Sequence, residues 1–93
     1  MNDPYLDLID TSWDNIVMMY QYFGDKKPII EYELPSQKIY SCPAQEYINA
    51  LSLRTRENAR KQYEDAVKKH QFMVFIRDHK KKKLRSYIFD LPF

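Results

Sequence analysis

Residues 71–93 constrain this chain more than any other stretch. Phe72-Met73-Val74-Phe75-Ile76 runs into Asp78-His79-Lys80-Lys81-Lys82-Lys83, and Leu84-Arg85-Ser86-Tyr87-Ile88-Phe89 follows. β-branched and aromatic runs on either side of a polar loop predict a β-hairpin. With a four-residue loop, Asp78 faces Lys83. Side chains alternate along a strand, so Phe72, Val74, Ile76, Tyr87 and Phe89 share one face. Met73, Phe75, Leu84 and Ile88 share the other. Both faces are apolar and both require cover, so this hairpin belongs deep in the fold while its tip presents cations to solvent.

The segments before it are read in the same way. Asp10, Thr11 and Ser12 are suitable N-caps, and Gly24 sits where a helix C′ residue belongs, which predicts a helix from Ser12 or Trp13 to Phe23. Trp13, Ile16, Val17, Tyr20 and Phe23 form its apolar stripe. A first hairpin follows, Pro28–Leu34 against Gln37–Ser41, turning at Pro35-Ser36. Its register places Tyr32 opposite Ile39 and Glu33 opposite Lys38. Ile30, Tyr32 and Ile39 then share a packed face, with Glu31, Glu33 and Lys38 on a solvated one. A long helical segment is expected over 43–70, begun by Pro43 and carrying Ala44, Tyr47, Ile48, Leu51, Ala59, Tyr63, Ala66 and Val67 in helical phase. Leu53 is out of phase and Ser52 and Thr55 can each cap, so a break or bend near 51–55 is equally compatible. Glu57/Lys61, Glu64/Lys68 and Asp65/Lys69 are acid–base pairs four apart on its outer face.

The order α-β-β-α-β-β predicts an α+β fold: a mostly antiparallel four-stranded sheet with helices packed on one face. The 93 residues are expected to form a single domain. Helices on one face leave the other for an N-terminal arm over residues 1–10, for Leu91-Pro92-Phe93, or for a second copy, hence a monomer or a homodimer.

Composition excludes several chemistries. Gly24 is the only glycine, so neither a P-loop nor a dinucleotide-binding loop can be built. Cys42 is the only cysteine and the histidines are His70 and His79, scattered without the spacing of metal ligands. No cofactor is expected. Cys42 precedes a helix N-terminus, which would favour its thiolate. It has no histidine base beside it in sequence, and filling the strand–helix junction is the simpler role. His70 and His79 flank one strand and are too far apart to share a phosphate. The N-terminus is acidic where a signal peptide would be basic, and no apolar run approaches a bilayer span, which predicts a cytoplasmic protein without membrane contact.

Charge is divided along the chain. Residues 1–53 carry three lysines against eight carboxylates, and residues 54–85 carry twelve Lys/Arg against four. The second set supplies a candidate contact patch: Arg54, Arg56, Arg60 and Lys61 on the helix, with Lys80, Lys81, Lys82, Lys83 and Arg85 in the hairpin. The expected function is that of a small non-enzymatic module that binds another macromolecule, a protein partner first. Binding of RNA or DNA through the basic helix 54–69 and the Lys80–Lys83 tip is the alternative.

Overall fold

The computed structural model describes Pro4, Tyr5 and residues 13–91, with side chains placed for Pro4, Tyr5 and 16–91. The chain runs α1 (Trp13–Phe23), β1 (Pro28–Leu34), β2 (Lys38–Pro43), α2 (Ala44–Ala50), α3 (Leu53–Lys68), β3 (Gln71–Asp78) and β4 (Lys83–Asp90). The α+β class and the element order are those expected, with the long helical segment in two pieces.

Each boundary has a local cause. α1 stops where Gly24 takes φ +57°, a conformation open to a residue without Cβ. Ile16 is the buried residue of its stripe, with Val17, Tyr20 and Phe23 half-buried, while the Trp13 side chain lies outside the described residues. α2 ends because Leu51 and Ser52 adopt extended backbone, with ψ of 157° and 153°. The carbonyl of Ser52 then accepts from the N–H groups of Thr55 and Arg56, which starts α3. The break thus falls where Leu53 loses helical phase.

Both hairpin registers agree with the alternation in the sequence. Tyr32 faces Ile39 and Glu33 faces Lys38 in the first. Asp78 faces Lys83 and Met73 faces Ile88 in the second. The first turn uses residues 35–37, with a cis Leu34–Pro35 bond and Gln37 at φ +61°. The Gln37 N–H donates to the Glu33 carbonyl at 2.8 Å.

The sheet is mostly antiparallel, as expected, in the order β2-β1-β3-β4, and the exception is the central pair β1–β3, which is parallel. Pro43 lies opposite Pro28 at the start of β1, and Ile30 is level with Val74 of β3. The connection from β2 to β3 therefore leaves and rejoins the sheet at the same end. One straight helix over 43–70 would end roughly 40 Å from its start at 1.5 Å per residue. The break at Leu51–Ser52 lets the chain turn back.

The helices also lie on both faces of the sheet, not on one. Ile48, Leu51, Ala59 and Ala66 of the α2–α3 segment pack with Ile29, Met73 and Phe75. Ile16 of α1 packs with Ile30, Phe72 and Val74 on the opposite face, joined by Leu91 and Phe89. The central strand requires this: Phe72 through Ile76 are all buried, on alternating sides. A continuous apolar run is the mark of a strand covered on both faces, as parallel pairing usually entails. This chain's own α1 packs on the second face of the hairpin.

Tyr5 adds to that cover beyond α1, at 7% exposure. Its hydroxyl donates to Asp78 Oδ2 at 2.7 Å. Apart from Pro4, the rest of the expected N-terminal arm lies outside the described residues. No described helix is long and apolar enough to cross a membrane.

Candidate functional site

The expected basic patch divides into residues with different tasks. Arg56 is half-buried, and its Nη2 donates to the carbonyls of Asn49 and Leu51, both at 3.0 Å. It thereby closes the C-terminal end of α2, whose last carbonyls lack helical partners. Arg60 pairs with Glu57 at 2.7 Å, so Glu57 takes an arginine three residues on instead of the expected Lys61. Asp65 and Lys69 pair at 3.0 Å as expected. Arg54 and Lys61 are exposed on α3 among Glu57, Glu64 and Asp65. Among the described residues, the side-chain bond between α3 and β4 joins neutral groups, Ser86 to Gln62 at 3.0 Å.

The hairpin half is different. Lys80, Lys81, Lys82, Lys83 and Arg85 are all exposed. The loop holds its shape through the backbone: Asp78 Oδ1 accepts the Lys81 N–H at 3.1 Å, and Lys82 sits at φ +54°. Lys81 and Arg85 stand 6.0 and 5.7 Å from the centre of the Tyr5 ring. That ring is buried beneath them, and among the described residues it offers no open aromatic face at the tip.

The carboxylates at this end of the sheet are already occupied. Glu31, 14% exposed at its side chain, accepts from Arg77 Nε at 2.9 Å and from the Tyr47 hydroxyl at 2.8 Å. Burial alone would lower the Arg77 pKa, but the bond to Glu31 and its charge outweigh it and raise it. Burial and Glu31 both push the Tyr47 phenol up. Glu33 Oε1 accepts from Ser36 at 2.7 Å and its Oε2 lies 3.0 Å from His79 Nε2. Those two contacts hold its carboxyl below the usual range. Asp78 is likewise held low, first by the Tyr5 hydroxyl and then by the Lys81 N–H.

These crossings between β1 and β3 were not anticipated from sequence. A signal was present: Glu31 and Glu33 alternate on one strand, Arg77 and His79 on another. In the parallel register Glu33 stands beside Arg77, and the bonds run diagonally, Glu31 to Arg77 and Glu33 to His79. The match shows only once β1 and β3 are set side by side and parallel.

The low Asp78 pKa has a testable consequence. A carboxyl with a folded pKa below its unfolded one stabilises the fold above the unfolded value, near 4, and that contribution is lost as pH falls through the folded value. Tyr5→Phe removes the largest cause. Its melting temperature should lie below that of the wild type at pH 7, and the gap should close as pH falls below about 4. A gap that stays constant with pH, or no gap at all, would show that the Tyr5 hydroxyl does not act through the ionised Asp78.

The nucleophile and metal readings find little support in the geometry. Cys42 is half-buried, and burial, Glu46 and Glu31 push its thiol up, opposite to the shift a helix N-terminus would produce. His70 and His79 sit at opposite ends of β3. Among the described residues, no three His, Cys, Asp or Glu side chains gather as metal ligands. A shallow hollow lined by Asp25, Lys27, Tyr63 and Val67 lies away from the lysine loop, near the start of β1 and the end of α3. No protein-family model, no curated protein and no solved structure matches this chain.

Proposed function

We propose that this chain is a non-enzymatic binding module that engages an acidic segment of a protein partner through the Lys80–Lys83 tip and Arg85. The observation that carries the reading is an imbalance of charge at one end of the sheet. Glu31, Glu33 and Asp78 are each bound internally. The four loop lysines make no ion pair among the described residues. Four exposed lysines beside the single ionised Asp78 leave the tip positive, which attracts an anionic partner and speeds its encounter.

RNA or DNA binding is the second reading, favoured by the same exposed lysines. Two observations weigh against it. Single strands are held largely by stacking on aromatic faces, and the aromatic ring at the tip is buried beneath Lys81 and Arg85. Of the helical cations that would extend the patch, Arg56 is committed to Asn49 and Leu51 and Arg60 to Glu57, which leaves Arg54 and Lys61.

A fluorescent poly-glutamate peptide and a mixed-sequence single-stranded oligonucleotide separate the readings. The wild type should bind the peptide, and replacing Lys80, Lys81, Lys82 and Lys83 by Gln should weaken it by about tenfold or more, roughly 1.4 kcal/mol per decade. The fold should survive the change, since exposed charges contribute about 0–1 kcal/mol. Equal peptide affinity in both proteins would overturn the proposal. Tight oligonucleotide binding that falls steeply with salt, with no peptide binding, would establish the second reading instead.

A further inference from the structure

β2 is an edge strand whose outer side stays open. Lys38, Ile39, Tyr40 and Ser41 are all exposed, Ile39 by 47% and Tyr40 by 45%. The other edge, β4, carries Lys83, Arg85 and Asp90, and charge is the usual device against further strand pairing. β2 has one charge, Lys38, followed by the uncharged Ile39-Tyr40-Ser41-Cys42. An open, weakly charged edge is a template for another strand. We propose that β2 pairs with β2 of a second copy, antiparallel about a two-fold axis through Tyr40, to form one continuous sheet.

The register follows from side-chain direction. A two-fold axis normal to the sheet leaves each face on its own side. Opposed residues must then point the same way, so the axis passes through a residue and not between two. Centred on Ser41, the pairing would set Lys38 against Ala44, which already belongs to α2. Centred on Ile39, it would bring the two Lys38 ammonium groups onto neighbouring diagonals, a repulsive arrangement. Centred on Tyr40, it uses the strand from Lys38 to Cys42. Tyr40 then faces Tyr40 of the second copy, Ile39 faces Ser41, and Lys38 faces Cys42.

Charge complementarity supports that register. Tyr40 lies opposite Glu31 and Cys42 opposite Ile29, so Lys38, Tyr40 and Cys42 point to the α2 side of the sheet. Two carboxylates act on the Cys42 thiol there, Glu46 and Glu31. Glu31 is occupied by Arg77 and Tyr47. Glu46 is exposed in the first turn of α2 and, among the described residues, has neither a hydrogen bond nor an ion pair. The Lys38 ammonium makes no ion pair within bonding distance either, although it acts at longer range on Glu33 across the hairpin. Lys38 of the second copy is thus delivered beside a free Glu46, and symmetry makes the contact twice. Because the edge is separate from the lysine loop, this inference stands or falls independently of the acidic partner.

Sedimentation and light scattering of the full chain test it. The wild type should show twice the 11.3 kDa chain mass at high concentration. Lys38→Glu and Glu46→Lys should each weaken dimerisation by about tenfold or more, since like charges are brought together. The double variant K38E/E46K should recover the dimer, which a merely misfolded variant could not do. Far-UV circular dichroism checks that each protein is folded. A wild type that stays at 11.3 kDa at its highest soluble concentration overturns the proposal. So does a dimer indifferent to both single changes, or a folded double variant that remains monomeric.

Discussion

Replacing Phe72 by alanine should cost about 3–5 kcal/mol, the usual loss for a large buried aromatic. A domain with ordinary stability of about 5–15 kcal/mol would be left marginal. Phe72 is 2% exposed on the central strand, in the cluster that seats Ile16 of α1 on Ile30 and Val74. Its ring centre lies 5.7 Å from that of Phe89, so its removal also strips support from the β4 side. Urea denaturation of the variant reads the loss directly. A loss under about 1 kcal/mol would mean that α1 does not close this face, because a filled site cannot give up a ring so cheaply.

The second large effect is expected at Glu31. Glu31→Leu leaves the Tyr47 hydroxyl and the Arg77 guanidinium without their shared acceptor and should cost about 2 kcal/mol. That figure is below the usual loss for a fully buried pair because the Arg77 side chain is 37% exposed and water can recover part of its hydration. Adding Arg77→Leu should restore much of the loss, since two apolar side chains can replace an ion pair at little cost. If the double variant is instead as unstable as the sum of the two single ones, the Glu31–Arg77 pair does not act as a unit and the proposed coupling of β1 to β3 through it is wrong.

The carboxylates matter for binding as well as for stability. Glu31, Glu33 and Asp78 could in principle neutralise the tip, and each is turned to an internal partner instead. The residues that a charge count would place first, Arg56 above all, serve the joint between α2 and α3. A count of cations cannot distinguish a guanidinium that caps two carbonyls from one that faces solvent, because that distinction depends on where the chain folds back.

Hairpin register, the end of α1 at Gly24 and the site of the helix break were all readable from local patterns. Each depends on residues a few positions apart: alternation across a strand, a residue without Cβ at positive φ, a lapse in helical phase at Leu53. The continuous run Phe72–Ile76 even demanded cover on both faces. What it could not say is which element supplies the cover, since α1 and the α2–α3 segment each carry an apolar stripe and either could serve either side. The direction of β1 relative to β3 was also beyond local reading. It follows from a connection that returns to its starting end, and that path depends on how far α2 and α3 travel before Ala59 and Ala66 settle on Met73 and Phe75. From that one choice come the parallel pairing, the Glu31–Arg77 and Glu33–His79 bonds, and the open edge at β2, because strands distant in sequence acquire neighbours only once the crossover has set them side by side.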